Sequence, residues 1–182
     1  MRIDMTTELG TRDKLIHHAR LRFWSKGYSN ISLREISKAA GVDVALVSRY
    51  FGGKQGLFEA TLKDSLVADG LPQLGIAELV DMTVSIMAST PKGEEQPSII
   101  RLIQMNAHDE TVGELVREQQ KKTMQNYLEK VIGDEKRAAL FMVVLLGISM
   151  AEASLSLTGI AKPESQEYEK QLHHMLSAAL NY

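Results

Sequence analysis

The chain has 182 residues and no cysteine, with 44% apolar and 24% charged residues. That composition suits one or two soluble globular domains with a full core, and it excludes disulfides, thiol nucleophiles and cysteine-based zinc or iron–sulfur sites. The net charge of −2 divides unevenly: residues 1–64 carry 11 Lys+Arg against 7 Asp+Glu, and residues 65–182 carry 10 against 16.

A basic head on an acidic body fits a head that meets a polyanion, and equally fits an ordinary solvated surface. Residues 138–151, 14 in all, form the longest run without a charge. A bilayer span needs roughly 18 or more, so the expectation is no transmembrane helix and no membrane partner. The first ten residues are polar, with Asp4 and Glu8. They read as neither a secretory signal nor a basic arm, and a cytoplasmic protein is expected.

Taken in order, the elements are all helices. Residues 11–26 place Leu15, Ile16, Ala19, Phe23 and Trp24 on one face, the 3.6-residue stripe of an amphipathic helix, with Thr11 as N-cap and Gly27 as stop. Ser32-Leu33-Arg34-Glu35 is a capping box that opens a short second helix, which Gly41 ends. Asp43 then caps a third short helix over residues 44–50, broken by Gly52-Gly53, and Lys54 leads a fourth to about Val67. Two short helices separated by a tight turn form a helix-turn-helix pattern, although a plain three-helix bundle has the same spacing.

The residues go further than the spacing. Ala19 with Phe23, the Gly27-Tyr28 turn, Ser32 through Ile36, Ala40-Gly41-Val42, Tyr50-Phe51, Lys54 and Leu57-Phe58 occur in order. Residues 11–63 thereby resemble the N-terminal domain of TetR-family transcriptional regulators. The resemblance implies a homodimer that binds double-stranded DNA and carries a small-molecule pocket in its C-terminal helices.

A recognition helix enters the major groove with its first turn nearest the bases. Here Val44 and Ala45 start that helix and can pack on thymine methyl groups, Ser48 can donate or accept, and Arg49 can grip a guanine or a phosphate. The family often has tyrosine where this chain has Ser48. Leu46 and Val47 point to the core. Tyr50 and Lys54 resemble the family's backbone-clamping positions. Arg34 reaches the groove edge or the backbone, and Ser32 is first a cap and second a phosphate contact.

Gly70, Pro72 and Gly75 mark a boundary, giving domains 1–66 and 67–182. Helices follow over residues 76–89 and 99–108. Another begins at a capping box on Thr111-Val112-Gly113-Glu114 and runs to about Ile132. The last two span 135–157 and 164–180. A loop with Pro91, Gly93 and Pro97 interrupts them. Residues 138–151 are apolar around most of the helix and need cover on more than one side.

A stripe at Tyr168, Leu172, Met175, Leu176 and Ala179 on the last helix is the natural partner. With Phe141, Leu145, Ile148 and Leu155 it is expected to form a four-helix dimer interface, as the resemblance also implies. Two recognition helices about one DNA turn apart, roughly 34–36 Å, would then read a near-palindromic site.

Met82, Met105, Met124 and Met142 are adaptable fillers of irregular cavities. With His108 and Tyr127 they are the expected lining of an effector pocket, with Arg101, Gln104 and Asn106 near them in sequence. The fourth helix, shared by both domains, is the expected lever between pocket and DNA. No nucleotide-loop, zincin or nucleophile-elbow motif is present, so no enzyme, cofactor or metal is expected. Glu169 and His173 read as a surface pair.

The fold expected is all-α, a helix-turn-helix head on a helical body. The function expected is a ligand-released repressor. The alternatives are a DNA-binding scaffold whose body holds a protein, and a helical ligand-binding or enzymatic dimer without DNA binding.

Overall fold

A computed structural model describes residues 10–63, 73–89 and 97–182 of the chain. Several expectations lie outside those residues: the polar N-terminus, the reach of the fourth helix past Lys63, the breaks at Gly70 and Pro72, and the loop at Pro91 and Gly93.

The described residues hold α-helices α1 (Thr11–Lys26), α2 (Leu33–Ala40), α3 (Ala45–Phe51), α4 (Lys54–Lys63), α5 (Ile76–Ser89), α6 (Ile99–Asn106), α7 (Gly113–Gln120), α8 (Asn126–Ile132), α9 (Glu135–Met150) and α10 (Gln166–Leu180). A π-helical turn, Lys121–Gln125, joins α7 to α8, and a second, Ala151–Leu155, prolongs α9. The ends follow local chemistry. Gly10, not Thr11, occupies the cap position of α1. Asp109 rather than Thr111 caps the turn before α7, its Oδ1 accepting from the N–H groups of Thr111 and Val112. Ser165 caps α10 by accepting from the Tyr168 N–H at 3.2 Å.

The chain forms two compact units, residues 1–66 with 94–119, and residues 67–93 with 120–182. The division expected from the sequence gave α6 and α7 to the body. Their packing gives α6 and most of α7 to the head instead, because Leu102, Val112 and Val116 bury their side chains in its core.

In the first unit α1 is the central element, packed by α2, α4 and α6. Leu15, Ala19 and Phe23 are fully buried. The rings of Phe23, Tyr28 and Phe58 lie 5.5 Å apart pairwise, two of the three pairs edge to face, a favoured aromatic geometry. Truncating a buried phenylalanine costs about 3–5 kcal/mol, so this triangle is a large share of what holds α1 to α4. Trp24 Nε1 adds a buried hydrogen bond to Thr61 Oγ1 at 3.1 Å, and that hydroxyl donates to the Phe58 carbonyl.

In the second unit α10 packs on α9 and α5. The residues expected at a dimer interface are mostly spent here: Phe141, Leu145 and Ile148 of α9 and Tyr168, Leu172, Leu176 and Ala179 of α10 are buried within the unit, Met175 is half-buried, and only Leu155 is exposed. Burial, then the hydrogen bond and charge of Glu152, push the Tyr168 phenol well above its ordinary pKa.

The reason for the difference is that α9 is apolar on every side, so periodicity cannot say which face the chain keeps for itself. The face left outside carries Ala139, Val143, Gly147 and Met150, with Leu155 beyond them. Val143 is 62% exposed. Together, residues Glu135–Leu155 make one helix long and apolar enough to cross a membrane by length and composition, with mean hydropathy 2.0 over its most apolar stretch. The charge-free run at 138–151 is only the middle of this helix, which the π turn carries on to Leu155.

Candidate nucleic-acid interface

The helix-turn-helix is built by caps and glycines. Ser32 Oγ accepts from the Glu35 N–H at 3.2 Å, while Glu35 Oε2 accepts from both the N–H and the hydroxyl of Ser32 at 2.7 Å. These bonds hold the Glu35 carboxyl below its ordinary pKa, first through the Ser32 N–H and then through its hydroxyl. Gly41 ends α2 in the left-handed region at φ 67°, which costs an L side chain energy and glycine none. Asp43 Oδ1 then accepts from the Ala45 N–H at 2.7 Å, the polar start of α3.

The orientation of α3 follows from its buried face. Val47 is fully buried and Leu46 packs against the core. Ala45, Ser48 and Arg49 are thereby exposed, as are Val44 at 39% and Tyr50 at 44%. Tyr50 is therefore not a core residue. Arg34 is exposed on α2, and the Arg12 guanidinium lies 5.4 Å from the centre of the Phe51 ring. Ser32 is occupied as a cap and offers a ligand little more than its free lone pair.

Lys54, expected to clamp the DNA backbone, is half-buried. Its Nζ lies 4.3 Å from the centre of the Tyr28 ring and 6.0 Å from that of Phe23, within reach of a cation–π attraction. Burial lowers its pKa, and the charges of Asp109 and Glu35 oppose that.

Of two further residues that build this head, one was not singled out by the sequence and the other was given a different place. Gly56 lies inside α4, where a Cβ would collide with the Phe51 carbonyl oxygen. The glycine lets α3 and α4 meet through a two-residue turn. Asn106 was placed beside a pocket, yet its buried amide bonds to the end of α1 and to Tyr28. Arg101 likewise donates to the Ser25 carbonyl at 3.3 Å.

The expected pocket lining is divided between the two units. Met105 and His108 belong to the first unit, and Met82, Met124, Tyr127 and Met142 to the second. His108 is exposed and Met142 buried. An open cleft of about 380 Å³ in the second unit is lined by Asp81, Val84, Ser85, Ala88, Ser89, Glu164 and Glu169, and by none of those six. His173 pairs with Asp81 at 3.8 Å rather than with Glu169. Among the described residues no group of three or more metal-ligating side chains gathers.

Residues 15–61 match the family model described as bacterial regulatory proteins, tetR family. Over 52 residues the chain is 50% identical to the probable HTH-type transcriptional regulator YttP of Bacillus subtilis (strain 168), a match covering 29% of this chain and 25% of that protein. The likeness thus spans a quarter of that relative's length. Among solved structures, HlyIIR, a hemolysin II transcriptional regulator, superposes with TM-score 0.62 at 19% identity, covering 92% of this chain and 96% of that one. A tetR-family regulator from Streptomyces coelicolor superposes with TM-score 0.57 at 24% identity, covering 98% and 82%. These structures are similar in fold.

Gly56→Ala is expected to force α3 and α4 apart, lowering stability by about 1–3 kcal/mol. Urea unfolding followed by Trp24 fluorescence measures it, and an unchanged midpoint would mean that the close approach is not required.

Proposed function

We propose that the chain, whose residues 15–61 match the tetR-family model, is a cytoplasmic, homodimeric transcriptional repressor of that family, released from a near-palindromic DNA site by a small organic effector. The observation that carries this reading is the exposed face of α3. A seven-residue helix with Val47 buried and Ala45, Ser48 and Arg49 outside is shaped for a major groove, which admits one helix.

Val44 and Ala45 supply apolar contact to thymine methyls, Ser48 a permissive hydrogen bond, and Arg49 a bidentate grip on guanine or a phosphate contact. Tyr50, Arg34 and Lys54 hold the backbone, Lys54 at the N-terminal end of α4, where a helix favours anions. Ser32 contributes through its cap.

Dimerisation gives the exposed apolar face of α9 a cover. Ala139, Val143, Gly147 and Met150 follow one another at helical spacing, and Gly147 lets a partner helix approach closely. In this reading a second copy supplies that helix across a two-fold axis, and Leu155, outside the unit's own core, joins it. The effector is held by the second unit. Its cleft carries Asp81, Glu164 and Glu169, which repel anions and favour a neutral or cationic ligand.

Duplex binding across a salt series tests the reading. Lys54→Ala is expected to weaken all sequences alike and lower the salt slope by about 1 per chain. Arg49→Ala is expected also to relax sequence preference. If the parent shows no duplex binding tighter than micromolar, the DNA-less ligand-binding alternative is favoured; a parent that binds DNA but no organic effector favours the scaffold. Val143→Glu is expected to turn the dimer into a monomer in analytical ultracentrifugation. An unchanged sedimentation coefficient would remove α9 from the interface, and partition of the parent into membranes would replace the dimer reading with a bilayer one.

A further inference from the structure

The strongest unassigned feature is the buried amide of Asn106, which is fully enclosed. Its Oδ1 accepts from the Tyr28 N–H at 2.7 Å, and its Nδ2 donates to the Phe23 carbonyl at 2.9 Å and to the Leu102 carbonyl at 3.1 Å. One side chain at the end of α6 thus closes the C-terminus of α1 and fixes the backbone of the turn that follows.

Neighbouring bonds reinforce it. Arg101 Nε donates to the Ser25 carbonyl, and Ser29 Oγ donates to Asp109 Oδ2 at 2.6 Å. Gly27 permits the approach, since a Cβ there would press on the Met105 carbonyl oxygen at 3.1 Å.

The same turn carries the DNA side. Tyr28, whose N–H is held by Asn106, has its ring packed on Phe23 and Phe58, and Lys54 Nζ rests on that ring at 4.3 Å. A flexible four-carbon cation is thereby held at the start of α4 before any phosphate arrives. Preorganised contacts bind more tightly than the same contacts made by a free side chain, because less rotamer freedom is lost on binding.

Resting on the functional reading above, we infer that Asn106 is a positioning residue for the phosphate-binding lysine. It sets Tyr28, and Tyr28 sets Lys54.

The test has one readout without DNA and one with it. In the free chain, the Hε protons of Lys54 are expected upfield in the NMR spectrum from the Tyr28 ring current. Asn106→Ala and Tyr28→Leu should each abolish that shift. Asn106→Ser, with a smaller polar side chain, serves if the alanine variant does not fold, and should reduce the shift.

With a duplex selected by the parent, Asn106→Ala is expected to weaken binding roughly tenfold per folded molecule, as for loss of a charge-assisted hydrogen bond. It should lower the salt slope as Lys54→Ala does. The double variant should bind no more weakly than Lys54→Ala alone, since contacts acting through one residue are not additive. An upfield shift that survives in the folded Asn106 variants overturns the inference, and so does an additive double variant, which would mark Asn106 as merely structural. If the parent binds no duplex, the functional reading fails, and the NMR comparison still decides whether Asn106 positions Lys54.

Discussion

A helix of seven residues has too few internal hydrogen bonds to be stable in water by itself, so α3 exists only because Val47 and Leu46 fasten one of its faces to the head. That half-burial is the constraint on which the rest depends. It decides which side chains are free, and it needs a core beneath α3 stiff enough to hold one orientation. The Phe23–Tyr28–Phe58 triangle, the Trp24–Thr61 bond and the close passage at Gly56 supply that stiffness. The exposed row of Ala45, Ser48 and Arg49 is a consequence of what lies below it.

The head was legible because its signals are local. A capping box at Ser32 and Glu35 is read from four adjacent residues and is found with both of its bonds. Gly27, Gly41 and Gly52 stop helices where an L residue would be strained, and each stop was visible as a glycine after an apolar stripe. Asp43 before α3 belongs to the same class. The exposure of Tyr50 and the burial of Val47 followed from helical phase once the boundaries were known.

The body was less legible because its signals depend on partners distant in sequence. A helix apolar all round, such as α9, presents no preferred face, and the large residues chosen for a dimer turned out to be the ones its own unit buries. Residues 99–119 read as part of the body because they follow a long loop, yet Leu102, Val112 and Val116 fit the core of the head. The methionines mark adaptable packing and are divided between the two units. Asn106, read as a polar group near a pocket, forms two of its three bonds with residues 78 and 83 positions away, a separation that no sequence window contains. Lys54 was placed correctly at the start of α4, but its seat on Tyr28 needed the turn geometry.

The central claim is that the face of α3 bearing Ser48 lies in the major groove. The chain has no cysteine, so Ser48→Cys accepts a single tethered cleavage reagent, and the strand offsets of the resulting cuts reveal which groove holds it. The account predicts two cleavage centres about one helical turn apart, roughly 34–36 Å, each with the offset of a reagent in the major groove. Cuts with the minor-groove offset, a single centre, or cleavage spread evenly along the duplex would contradict it.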